Sequence, residues 1–159
     1  EVNQIYKFIK CYLVKFIIIN MKKYLFTLLL LISCENEQSN FNPYLPDISF
    51  DRIINLNLPS YDNLNFTGGS VKIDGLGVCG VILFNFSDDI LAWEACDPNH
   101  IKRDDCPGLT IDGVQANCDC VGNVYSLATG QLLNSSMTSN YPLIRYKTEQ
   151  IGNNLRVYN

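Results

Sequence analysis

Four of the seven cysteines, Cys96, Cys106, Cys118 and Cys120, fall within twenty-five residues together with the sole histidine, His100. They lie in two short stretches, CDPNHIKRDDC (96–106) and CDCVGN (118–123). Nothing else in the chain constrains its fold as much. Such a density of thiols is either a set of cross-links or a metal site, and both need two loops held side by side. In an exported protein an even set of four suggests two disulfides, with three pairings that spacing leaves open. The C-x-C pair with a nearby histidine is also compatible with zinc, although export and the lack of C-x-x-C pairs argue against it.

Export is written in residues 21–34, MKKYLFTLLLLISC. Two lysines precede an apolar run that ends in small residues, the pattern of a secretory signal. The run is shorter than the roughly 20 apolar residues a membrane-spanning helix needs. The cysteine after Leu31-Ile32-Ser33 resembles a bacterial lipobox, which implies cleavage before Cys34 and lipidation of its thiol. The expected organisation is an upstream or mis-started segment at 1–20 and a signal peptide at 21–33. The lipidated Cys34 and a polar tether follow to residue 46, and one domain occupies 47–159. The expected location is the cell envelope, on the outer membrane or the periplasmic face, with the membrane as a partner through lipid on Cys34.

Residues 34–159 carry seven Lys and Arg against fifteen Asp and Glu, a net charge of −8. A surface of that sign does not gather nucleic acid, whose binding rests on basic contacts to phosphate. A basic protein partner suits it, and so does plain solubility.

The apolar pattern is that of strands. Ile54–Leu58 alternates strictly, as a half-buried strand does. Ser70–Asp74 places Val71 and Ile73 on one face. Val78–Phe86 is apolar almost throughout and reads as a buried central strand, with Cys79 inside it as a small free-thiol hydrophobe. Ile90–Ala95 runs directly into Cys96, and Trp93 within it reads as strand core. Asp112-Gly113 between alternating apolar residues predicts a tight hairpin. Val124–Leu127, Leu143–Glu149 and Leu155–Tyr158 follow. No stretch of ten residues past the signal has a helical period. The fold class is all-β, a small sandwich or partly open barrel with two cysteine-bearing loops.

The order of a strand into loop 96–106, a hairpin into loop 118–123, Thr129-Gly130, and Pro142-Leu143 with Tyr146 resembles the Rieske family of [2Fe–2S] proteins, over about Leu56 to Tyr158. The family pattern is C-x-H, a hairpin, then C-x-x-H-G. Its respiratory subgroup adds one cysteine to each loop, and those two form a clamping disulfide. The resemblance implies Cys96 and Cys118 as thiolate ligands and a Cys106–Cys120 clamp. It departs at the imidazoles. Three residues separate His100 from Cys96 instead of one, and Val121 takes the second histidine position. With one histidine in the chain, the two-imidazole centre of this family is excluded. Without iron, the resemblance implies a second bridge, Cys96–Cys118. The alternative is a [2Fe–2S] cluster with an altered set, Cys96, Cys118, His100 and a carboxylate such as Asp97 or Asp119.

No nucleophile–base set, phosphate loop or paired carboxylates stand out, so an enzyme is not expected. The functional expectation is an envelope lipoprotein with a degenerate cluster site. It would act as a binding or accessory module for an unidentified envelope protein, with no cofactor. The alternative is an electron carrier.

Overall fold

The computed structural model describes residues 42–159 except 88, 102, 104 and 135–140. The upstream segment, the signal peptide and Cys34 lie outside the described residues. None of the described helices is long and apolar enough to cross a membrane.

Among the described residues, nine strands form two antiparallel sheets. The strands are β1 (Asp51–Asn55), β2 (Ser70–Ile73), β3 (Val81–Phe86), β4 (Asp89–Glu94), β5 (Thr110–Asp112), β6 (Gln115–Asn117), β7 (Val124–Ser126), β8 (Arg145–Ile151) and β9 (Asn154–Tyr158). The larger sheet has the order β1-β9-β8-β4-β3-β2, and the smaller one β5-β6-β7. A short 3-10 helix, Pro59–Asn65, leads from β1 toward β2. The expected all-β class holds.

β3 and β4 explain why their sequences lack strict alternation: both of their faces are covered. Ile82 and Phe84 of β3, with Leu91 and Trp93 of β4, join a core with Leu109, Ala116, Tyr125, Leu127 and Leu143 beneath the small sheet. Val81, Leu83, Ile90 and Ala92 point the other way. They pack with Ile54, Leu64, Tyr146, Leu155 and Val157 in a second core. Trp93 ties the two sheets, since its indole N–H donates to the Leu127 carbonyl at 2.8 Å.

The first expected strand is displaced. Pairing runs over Asp51–Asn55 against β9, so only Ile54 and Asn55 of the alternating Ile54–Leu58 stretch are in a strand. The Asn55 side chain accepts the Asn57 N–H at 3.0 Å, and the Asn55 carbonyl accepts the Leu58 N–H at 3.3 Å. That turn ends the strand ahead of Pro59. The start of the domain differs as well. Asn42 and Leu45, expected in the tether, are buried, and Asn42 Nδ2 donates to the Pro98 carbonyl at 2.8 Å.

Gly130 sits against Trp93 with φ +74°, where a Cβ would lie 2.8 Å from Cζ3 of the indole. Gly113, at the hairpin tip, has φ +59° and open space around it. Gly130→Ala is therefore expected to lose about 3 kcal/mol of stability, from left-handed strain plus overpacking, and Gly113→Ala about 1 kcal/mol from strain alone. Urea unfolding of the two variants checks this, and equal losses would contradict the packing of Trp93.

Candidate functional site

The candidate site is the pair of loops that leave β4 and β6. Loop 95–109 begins where β4 ends, and Leu109 N–H returns to the Ala95 carbonyl at 2.6 Å, closing its neck. Loop 118–123 is a tight turn in which Gly122 N–H reaches the Cys118 carbonyl and Cys118 N–H the Asn123 carbonyl, both at 2.8 Å. A Cys106–Cys120 disulfide joins the loops, with Cα atoms 6.0 Å apart. That is the clamp the resemblance implied.

The other bridge differs from expectation. Cys96 is bonded to Cys79, with Cα atoms 5.0 Å apart, and not to Cys118. Cys118 is a buried free thiol. Cys79, expected as a free buried hydrophobe, is half-buried and cross-linked. The reason is that β3 begins only at Val81, so residues 77–80 form a turn. This turn is pulled against the end of β4, where Ala95 N–H donates to the Gly80 carbonyl at 2.9 Å.

The turn is organised by Glu94, which has no solvent exposure. Its Oε1 accepts the N–H groups of Cys79 and Cys96, both at 2.9 Å. Its Oε2 accepts Val78 N–H at 2.7 Å and the Tyr146 hydroxyl at 2.6 Å. Four donors fill the acceptor sites of one carboxylate, and each such bond to a charged group is stronger than a neutral one.

A second buried carboxylate, Asp97, occupies the space between the loops. Its Oδ1 accepts the Asn99 N–H at 2.8 Å and the Tyr125 hydroxyl at 2.5 Å, and its Oδ2 accepts Asn123 Nδ2 at 2.9 Å. Asn99 extends the network, donating through Nδ2 to the Tyr125 oxygen and the Tyr141 carbonyl and accepting the Tyr141 N–H. One polar cluster thus connects loop 95–109, loop 118–123, β7 and the segment before β8. Burial pushes the Cys118 thiol up, and the adjacent Asp97 carboxylate adds to this. The backbone N–H groups of Val121 and Cys120 oppose it.

His100 lies apart from this cluster. Its Nε2 is 3.5 Å from the Arg103 guanidinium. Two groups of donor atoms within 4.8 Å occur among the described residues, Cys106 with Cys118 and Cys120, and Cys79 with Glu94 and Cys96, and His100 belongs to neither. The expected set Cys96, Cys118 and His100 is therefore not brought together. Pro98, fully buried, stands two residues after Cys96, where the family pattern has its first imidazole, and Val121 is exposed. A Rieske centre needs two thiolates and two imidazoles. The residues here do not fit one: Cys96 shares its sulfur with Cys79, and neither imidazole position carries a donor. In the sequence Asp97 stands out only as a substitute ligand, and nothing in it marks Glu94, Asn99, Asn123 or Tyr125 as site residues. The one available signal is Cys79 itself, a cysteine in the Gly77-Val78-Cys79-Gly80 run, where glycines favour a turn over a buried strand.

The run of β4, bridged loop, hairpin, bridged loop and β7 follows the order on which the sequence resemblance to the Rieske family rests. No protein-family model and no curated protein matches the chain. Among solved structures it is similar to one described as a complex of reduced oxygenase and oxidized ferredoxin in carbazole 1,9a-dioxygenase. The identity is 21%, over 57% of this chain and 81% of that one, with a TM-score of 0.41. It is also similar to the ferredoxin of carbazole 1,9a-dioxygenase from Nocardioides aromaticivorans IC177, at 15% identity over 58% of this chain and 86% of that one, with a TM-score of 0.38.

Tyr125 and Tyr146 tie the site to alkaline stability. Burial raises both phenols well above their ordinary value of 10.0, and a carboxylate acceptor on each hydroxyl, Asp97 or Glu94, raises them further. A group whose folded value is raised stabilises the fold in full below its unfolded value and loses that contribution as pH climbs above it. Stability should therefore fall as pH rises past 10.0. Tyr125 and Tyr146 should ionise only as the chain unfolds, read by phenolate absorbance alongside circular dichroism. Ionisation of every tyrosine before any loss of structure would contradict the site.

Proposed function

We propose that the chain is an exported, lipid-anchored domain that keeps a Rieske-like β scaffold without its cluster and serves the cell envelope as a binding or accessory module. The observation that carries this reading is the second bridge. Cys96, the residue that would supply a thiolate, is bonded to Cys79, and a hydrogen-bonded network around Asp97 spans the space between the loops. A network with its acceptors filled stiffens the loop pair without any metal.

Two further observations support the binding role. Ile101 and Val121 place exposed apolar side chains on the two loops. The chain's acidity past Cys34 suits a basic protein partner. The anchor rests on the cysteine that ends residues 21–34, MKKYLFTLLLLISC.

The test is one preparation of the full chain, made in a host that loads iron–sulfur proteins and isolated without oxygen. A colourless protein free of stoichiometric iron and sulfide, found with membranes and released from them by Cys34→Ser, is expected. A brown protein with two irons and two sulfides per chain would overturn the reading in favour of an electron carrier. Equal membrane retention of the Cys34→Ser variant would overturn the anchor.

A further inference from the structure

Three sulfurs meet at the joined loops, and one disulfide can bind only two of them. The Sγ atoms of Cys106, Cys118 and Cys120 lie within 4.8 Å of one another. Cys106 and Cys118 are buried, and Cys120 is exposed. The bond runs between Cys106 and Cys120, and Cys118 holds the free thiol beside it. We propose that this triad is a thiol–disulfide exchange site, in which Cys118 displaces Cys120 from Cys106 and presents Cys120 at the surface to a disulfide of a second molecule. The proposal rests on the cluster-free reading, because iron held by Cys118 would remove the attacking thiol.

Exchange proceeds by attack of a thiolate on a disulfide sulfur, with the other sulfur leaving. The Cys118 sulfur, its proton passed to the adjacent Asp97 carboxylate, attacks Sγ of Cys106. The Cys106–Cys118 bond forms, the Cys106–Cys120 bond breaks, and the electron pair leaves on Cys120. One disulfide and one thiol are present before and after, so no oxidant or reductant is consumed. The Cys120 thiolate then attacks the incoming disulfide. It forms a mixed disulfide and releases one thiolate of that molecule, which takes up a proton, so charge and electrons balance again.

Burial sets the direction of the first step. Attack on Cys106 expels Cys120, whose thiolate is stabilised by water. Attack on Cys120 would expel a thiolate at buried Cys106, which burial disfavours. The buried Cys118 thiol resists ionisation, so the exchange should be slow at neutral pH and is best read over hours.

The test uses the full chain and glutathione disulfide. After incubation and acid quench, a non-reducing digest is mapped by mass spectrometry on the peptides that carry residues 96–123. The expected result is glutathione on Cys120 together with a Cys106–Cys118 bridge, and loss of that adduct in Cys118→Ser. Glutathione on Cys118 with Cys106–Cys120 intact would overturn the proposal. So would a native chain that takes none while the urea-unfolded chain takes one, or a Cys118→Ser variant that still takes it on Cys120. Iron in the starting protein would instead overturn the cluster-free reading. Colourless protein without the Cys120 adduct overturns the exchange alone.

Discussion

Four hydrogen-bond donors converge on one buried carboxylate at the end of β4, and the geometry of the loops depends on it. Glu94 takes the N–H groups of Val78, Cys79 and Cys96 and the hydroxyl of Tyr146. No Lys or Arg forms an ion pair with it among the described residues. A buried carboxylate is tolerable on such terms only if its acceptor capacity is filled by donors. Filling it draws the turn before β3 onto the end of β4, which sets Cys79 beside Cys96. The same side chain reaches Tyr146 on β8, the strand that joins β4 to the outer half of the large sheet.

From that point the two loops take their places. Cys96 leaves β4 fixed at its backbone by Glu94 and at its sulfur by Cys79. The next residue, Asp97, then faces Tyr125 and Asn123, so a second carboxylate reaches across to loop 118–123 and β7. The Cys106–Cys120 bridge closes the far side. One loop pair is thus held by covalent bonds at its margins and by hydrogen bonds in its middle. A small domain gains doubly from this, since each bridge reduces the entropy of the unfolded chain by an amount worth roughly 2–4 kcal/mol.

Much of this was legible in the residues. The expected strands Val78–Phe86 and Ile90–Ala95, the Asp112-Gly113 hairpin and the closing strands Leu143–Glu149 and Leu155–Tyr158 all overlap observed strands, although β3 starts later, at Val81, and β8 later, at Arg145. These segments are buried on one or two faces, and burial is what pattern reports. Ile54–Leu58 misled because an asparagine turn at Asn55 ends pairing while the alternation continues. In the site, the Cys106–Cys120 clamp was readable through family resemblance. The Cys79–Cys96 bond was not, because it depends on where β3 starts and on Glu94, which looked like one more acidic residue in a strand. The Asp97 network was hidden for a similar reason, since its members come from four segments that only the folded chain brings together.

The central claim is that Cys96 is committed to Cys79, which leaves Cys118 without a thiolate partner for a cluster. A non-reducing peptide map of the freshly isolated, acid-quenched full chain tests it most directly. The account requires a peptide pair joined through Cys79 and Cys96. A pair joined through Cys96 and Cys118, or a free Cys79 with Cys96 held by iron, would contradict it.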